Sequence, residues 1–496
     1  MPRSFKEIFS IVFTGKKLRY LTLLFLLHLL ACSYSRVTRL DLFKMTARPE
    51  YGYITRLLKR INALVSLGFG QARACEIVAN TSRDKYLRDF FLRFAQSIKV
   101  GEDITEFLER EYKSYVIIYG SDYERSMVRL KRLSEAYIAV LSSTIFVSVT
   151  FALMGMLWGE EFVQALWMLM LPLMGIYGLL VFMFYQIAPY EKLVSDSHRA
   201  RNIDRLLTLS KVMVIATIIS LIISIFLSLQ YLIPLNLIPF IALIFGVPSL
   251  TIGITGIRLI KKIKVLDEKF PPFLTTLASS ISSLGASVRE ALKEIMRIDF
   301  GPLNKLIRSL RARLEVGIDE EICWKLFERE TSSEIIIFHS EIFYDSFKAG
   351  APAVVVGNLL GKSVLNILTL RKRREEVSAF LRSILLPLHP ALAAILALTL
   401  AIITGFTESI ETVQQAALPV QIITPIPVQA VEIFSYIVLF TTTIANAMVM
   451  YIIEGGHSVN LSYYLGLFLL TGCLIYFGIY NWMRIFLQSL IGGVGG

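Results

Sequence analysis

Phe270-Pro-Pro-Phe-Leu-Thr-Thr-Leu-Ala-Ser-Ser-Ile-Ser-Ser-Leu-Gly285 begins the stretch whose reading decides the fold. It opens a charged, water-compatible segment, Phe270 to Gly350, in a chain that otherwise reads as membrane. The layout occurs twice. Ser66-Leu67-Gly68 matches Ser283-Leu284-Gly285, and Val100-Gly101 matches Val316-Gly317 after almost the same gap. Between those marks, Phe91-Leu-Arg-Phe-Ala-Gln-Ser-Ile-Lys-Val-Gly101 answers Ile307-Arg-Ser-Leu-Arg-Ala-Arg-Leu-Glu-Val-Gly317. The chain is therefore built around a duplicated helical module.

Lipid surrounds the two modules. Mean hydropathy is +0.61 and only 18% of residues are charged, below the roughly 25% of soluble domains. Those charges collect in two blocks, 36–135 and 258–383. About 20 apolar residues are needed to cross a hydrocarbon core. Runs at 137–158, 162–189, 212–232, 233–257, 384–405, 430–453 and 461–482 read as spans. Residues 20–35 fall short of that length and contain His28, which suits an interfacial or core-buried helix, with a first span as the alternative. The expected fold is all-α and polytopic, with about seven spans, or eight if that segment crosses.

The domain plan follows. Residues 1–35 form an amino-terminal amphipathic or membrane-associated segment, and 36–135 a first cytoplasmic helical module. Residues 136–257 make four transmembrane helices in two hairpins, 258–383 a second module, and 384–496 three further spans. Acidic Gly159-Glu160-Glu161 at one hairpin tip contrasts with basic Lys192, His198, Arg199, Arg201, Arg205 and Lys211, and with Lys261, Lys262 and Lys264. Basic loops stay in the cytoplasm, so both modules are expected there, in a multi-pass protein of the cell membrane.

Inside the first module, Ile54, Leu57, Leu58, Ile61 and Leu64 recur at helical spacing, with Arg56, Lys59 and Arg60 facing away. Further helices are expected over 72–79, 86–99 and 104–115, and a short strand-like kink over Val116 to Tyr119. Gly68, Gly101, Gly285 and Gly317 are expected to make the turns, with Glu102 and Asp103 supplying an acid to cap the next helix.

The search for chemistry returns little. A net charge of +12 fits the positive-inside bias, and no nucleic-acid motif accompanies it. Cys32, Cys75, Cys323 and Cys473 lie in four separate segments, against a disulfide framework or zinc site. The five histidines include no metal-binding pair, and Glu320-Glu321 beside Lys325 reads as a solvated face. His389, between Pro387 and Pro390, reads as a helix-end polar contact. Gly357-Asn-Leu-Leu-Gly361-Lys362-Ser363, after strand-like Ala353-Val-Val-Val, resembles a phosphate-binding loop. It is one residue short between the glycines and lacks an acidic partner for Mg²⁺, so a small-residue bend is expected. No catalytic, cofactor or metal residues follow, and the chain is not expected to be an enzyme.

Span interiors carry no Asp, Glu, Lys or Arg, whereas ion-coupled carriers keep such groups at membrane depth. A transport or export permease with cytoplasmic regulatory modules stays as the alternative. Arg125, Arg129, Lys131 and Arg132 precede one span and Arg371, Lys372, Arg373 and Arg374 another, as lipid-headgroup anchors would. The second set is also a candidate for partner contact, together with Arg308, Arg311 and Arg313, which lie farther from the lipid.

The Phe-Pro-x-Phe-Leu opening, the Ser-Leu-Gly turn and the Val-Gly turn before a charged helix resemble the type II secretion system F-domain, over roughly 66–108 and 270–323. The first copy departs from it: no Phe-Pro-x-Phe opens it, and Gly68-Phe-Gly70 has an extra glycine. Two copies in one chain resemble archaeal members, platforms of the archaellum or of adhesive and DNA-exchange pili. The resemblance implies a non-enzymatic membrane hub, a homodimer or higher oligomer. A hexameric secretion ATPase docks on the modules of such a hub and drives pilin or archaellin subunits into a filament, with rotation as well in the archaellum version.

Overall fold

The computed structural model describes residues 5–35, 37–158, 161–195, 201–229, 238–285, 287–415 and 428–492. Its regular elements are helical: α1 (Phe5–Ser33), α2 (Arg39–Met45), α3 (Tyr53–Ser66), α4 (Gln71–Thr81), α5 (Lys85–Val100), α6 (Ile104–Trp158), α7 (Glu161–Ile187), α8 (Arg201–Leu229) and α9 (Ile238–Leu284). There follow α10 (Val288–Ile295), α11 (Leu303–Glu315), α12 (Glu320–Thr331), α13 (Glu334–Lys348), α14 (Ala353–Gln415), α15 (Val428–Ile453) and α16 (Ser458–Gly492). The tip residues Gly159 and Glu160, the turn residues Pro234 and Asn236, His198, Arg199, Pro419, Pro425 and Pro427 lie outside the described residues.

The chain divides into two compact units. One comprises Met1–Ser126, Pro189–Arg201 and Ile260–Arg373; the other comprises Met127–Ala188, Asn202–Leu259 and Arg374–Gly496. The first unit gathers both charged blocks, the amino-terminal helix and the connector between α7 and α8. Its core joins Phe90, Phe91, Phe94 and Phe107 of the first copy with Phe270, Phe273, Trp324 and Phe327 of the second. Tyr20 to Cys32 of α1 is buried in this core. A run apolar on every side is satisfied by burial in protein as well as by lipid, which explains why its short length suffices.

The glycine turns share one geometry. Gly68, Gly101, Gly285 and Gly317 have φ of 92°, 78°, 56° and 84°, the left-handed region that glycine enters without a Cβ clash. Glu102 N–H donates to Ser97 O at 3.0 Å, and Ile318 N–H donates to Arg313 O at 3.1 Å. These are the same helix-ending bond in both copies. Asp103 caps α6 through Thr105 N–H at 2.9 Å and Glu106 N–H at 3.0 Å.

Two local expectations are corrected. Val116 to Tyr119 is not strand-like but continues α6 as helix, because the helical pattern on both sides outweighs four β-prone residues. Ala353 to Ser363 is neither strand nor bend but the first turns of α14. Its glycines lie on the helix face against α9: a Cβ on Gly357 would overlap Ala278, and one on Gly361 would come 2.7 Å from the Thr275 methyl.

The second unit contributes to the seven helices that, among the described residues, are long and apolar enough to cross a membrane, and the protein is an all-α, multi-pass membrane protein. Here α9 and α16 cross closely through glycine. A Cβ on Gly253 would strike the Tyr463 backbone, and one on Gly466 would come 2.5 Å from Leu250 N. Ser249 and Ser462 donate to each other's carbonyls at 2.9 and 2.8 Å across the same contact. Small residues that admit close backbone approach are a main source of helix association in lipid. His389 is buried within α14, not at a helix end. It lies 3.1 Å from Phe468 O, 3.3 Å from the Thr443 hydroxyl and 3.3 Å from the Asn446 amide. Overpacking a close-packed contact costs about 1–3 kcal/mol. Gly253→Val is expected to lower the melting temperature of the detergent-solubilised protein, whereas Gly175→Val, with nothing within 4 Å of its Cβ position, leaves it close to wild type.

Candidate functional site

Two charged joints organise the first unit, and neither was visible in the sequence. The first is centred on Arg371 of α14, which is buried. Its Nη1 lies 2.6 Å from Asp267 Oδ2 on α9, and its Nε 2.9 Å from Glu191 Oε1 in the α7–α8 connector. Nη2 donates to Lys192 O at 3.2 Å. The other oxygen of fully buried Asp267 accepts from the Ser333 hydroxyl, at the junction of α12 and α13. The connector pairs with that same junction through backbone: Ser195 N–H donates to Ser332 O at 3.1 Å, and Glu334 N–H to Leu193 O at 3.0 Å. Lys192 Nζ adds an ion pair to Glu334 at 3.4 Å.

The second joint ties the amino-terminal segment to α13. Arg48 Nη2 lies 2.5 Å from Asp345 Oδ2, and Nη1 lies 3.4 Å from Glu341 Oε2. His28 of α1 reaches Asp345 Oδ2 through Nε2 at 3.2 Å and the Tyr51 hydroxyl through Nδ1 at 3.1 Å. Glu328 of α12 is buried nearby, and its Oε2 has no hydrogen-bond partner among the described residues.

One guanidinium thus pairs with two carboxyls while Glu328 is buried nearby, and the proton affinities of the three separate. Burial, with the Glu341 charge adding to it, pushes Glu328 up to about 9. Burial also raises Glu341, to about 7, against the pull of Arg48. For Asp345 burial acts upward too, but the His28 and Arg48 contacts hold it below the usual carboxylate range. Desolvation keeps His28 low, hence neutral at pH 7.

The residues expected to meet a partner separate into two classes. Arg371 and Arg374 are both buried and committed internally, Arg374 through Nε to Ile453 O at 2.7 Å and Nη2 to Ile452 O at 2.8 Å, at the end of α15. A four-residue basic run on a helix has to turn part of itself inward, since residues three apart share a face. Lys372 and Arg373 are exposed. On α11, Arg308 is exposed, Arg311 pairs with Glu315 at 2.7 Å, and Arg313 pairs with Glu330. Among the described residues no group of three or more His, Cys, Asp or Glu is arranged to hold a metal ion.

Comparison with known proteins gives a direct result. Residues 25–152 match the model of the type II secretion system protein F family. That match falls on the copy that departs more from the motif, and it extends into the first expected span. The chain is 25% identical over 437 residues to Flagella accessory protein J of Methanocaldococcus jannaschii, covering 86% of this chain and 77% of that protein. It is 26% identical over 422 residues to Flagella accessory protein J of Methanococcus voltae, covering 83% and 75%. No solved structure matches the chain significantly.

Two measurements follow from the joints. Glu328 and Glu341 ordinarily titrate at 4.5, so the folded state holds protons that the unfolded chain releases, and stability falls as pH rises towards 9. His28 opposes this only below its ordinary 6.5, and Asp345 acts only in acid. The melting temperature is therefore expected to decline between pH 7 and 9, and Glu328→Gln should flatten that decline. In the other joint, leaving one buried charge alone costs about 3–5 kcal/mol. Arg371→Leu should destabilise strongly, and adding Asp267→Leu should restore part of the loss in a double-mutant cycle read by denaturant unfolding.

Proposed function

We propose that this chain, which carries a type II secretion system F domain at residues 25–152, is the membrane platform of an archaeal type IV pilus-like machine. The observation that carries this reading is likeness to Flagella accessory protein J over 86% of the chain. A likeness of that extent has to take in residues of both modules and of most spans. The platform works without chemistry of its own. A hexameric secretion ATPase docks on the first unit, which faces the cytoplasm, and its cycle is coupled to pilin or archaellin subunits entering a filament, with rotation where the filament is an archaellum. Dimers or higher oligomers of the chain form the hub. Two packed modules suit this role, because a unit stitched by buried ion pairs moves as one piece when pushed.

The test uses the full-length protein in detergent and the secretion ATPase of the same cells. The ATPase should be retained on the immobilised chain, and the chain alone should neither bind nor hydrolyse ATP. Failure of the ATPase to bind would sink the platform reading.

A further inference from the structure

The joint around Arg48 lies on the seam between the two modules. On one side of it, the amino-terminal segment is fastened to the first module by bonds away from the joint. The Tyr34 hydroxyl donates to Glu109 at 2.7 Å, Arg39 Nη2 to Glu102 O at 2.9 Å, and the Thr105 hydroxyl to Ser33 O at 3.1 Å. On the other side, the segment meets α13 of the second module through His28 and Arg48, which reach Asp345 and Glu341. Tyr51 also packs there on Phe338, with ring centroids 6.0 Å apart.

The seam is short of cations. Four carboxyls face one another across it: Glu50 from the segment, Glu328 from α12, and Glu341 and Asp345 from α13. The cations in range are Arg48 and Lys325 of α12, and Lys325 is itself paired with Glu321 at 2.7 Å. His28 is neutral, and burial holds the proton on the Tyr51 hydroxyl. Arg48 is already engaged by Glu341 and Asp345. An ionised Glu328, 1% exposed, would therefore lie beside like charge with no cation of its own among the described residues. A cavity of about 510 Å³ runs along the seam, lined by Val37, Met45, Arg48, Asp345, Lys348 and Ala349. The Lys348 side chain at its edge is 64% exposed, so protons can reach the seam without unfolding of a module.

We propose that this cluster is a proton-operated latch between the two modules. With Glu328 protonated, the amino-terminal segment stays seated on α13; loss of that proton unseats it, while its bonds to the first module persist. Seated, Glu328 titrates at about 9, through burial and the Glu341 charge; in water it returns to its ordinary 4.5. The seated form thus holds a proton that the unseated form releases, and each pH unit between those values favours unseating by up to about tenfold. Glu341, which burial raises to about 7, adds about a factor of two between pH 7 and 9. Asp345 is ionised and His28 neutral in both forms over that range, so neither opposes the change. The latch is independent of what docks on the unit.

The test uses the full-length protein in nanodiscs and its own thiols. Cys32 of α1 is buried within range of the Asp345 and Arg48 charges, whereas Cys75, equally buried on α4, is near Glu76 instead. Alkylation by iodoacetamide is followed at both by peptide mass spectrometry from pH 7 to 9. Thiolate formation speeds both reactions alike, so their ratio isolates the seam. The ratio of Cys32 to Cys75 labelling should rise at least about tenfold in wild type, and no more than about twofold in Glu328→Gln. Glu328→Leu, apolar and of similar bulk, replaces that variant if it does not melt cooperatively. Wild-type hydrogen exchange gives a second readout: residues 39–51 should lose amide protection over the same range while 104–115 keep theirs. A flat ratio in wild type, as general loosening would give, overturns the latch. An equal rise in the Glu328 variant, or joint loss of protection by both segments, overturns it too.

Discussion

A buried guanidinium sets the terms for the first unit. Arg371 cannot shed its proton, so wherever α14 packs it must bring acid and carbonyl partners with it. Asp267 is equally confined, fully buried on α9 with Arg371 on one oxygen and Ser333 on the other. Glu191 and the Lys192 carbonyl complete the shell from a connector that lies between two spans in the sequence. Such a pair is weak evidence for stability, since desolvation consumes most of the attraction. Its effect here is selection. Any packing of α9, α14, the connector and the α12–α13 junction that separates these groups leaves a charge buried alone.

That constraint also explains why the duplication is imperfect. In the first copy, the helix after the Val-Gly turn is α6, which runs on without a break to Trp158. In the second, the corresponding helix α12 stops at Thr331, and Ser332 takes a left-handed φ of 54°. The stop places Ser333 on Asp267 and opens the backbone edge on which the connector pairs. The copies keep the same turns and diverge where one of them must receive a third segment.

What could be read in advance followed from local physics. Hydropathy located the spans, because about 20 residues of lipid leave a long record. Helical periodicity located α3 to α5, and the glycine before each break marked a left-handed cap. The joints left no comparable record. His28 and Asp345, or Lys192 and Glu334, are ordinary residues whose pairing depends on the packed fold rather than on spacing. Gly357 and Gly361 misled for a related reason. Two glycines four apart are compatible with a phosphate loop, and equally with one face of a helix pressed against Ala278 and Thr275. Only the neighbour decides between them.

The arginines of the two basic clusters differ in how far the fold has already used them. Arg311 and Arg313 meet Glu315 and Glu330, and an exposed ion pair must be given up or shared before a partner gains from it. Such charges steer an approach and set its salt dependence more than they hold a complex together.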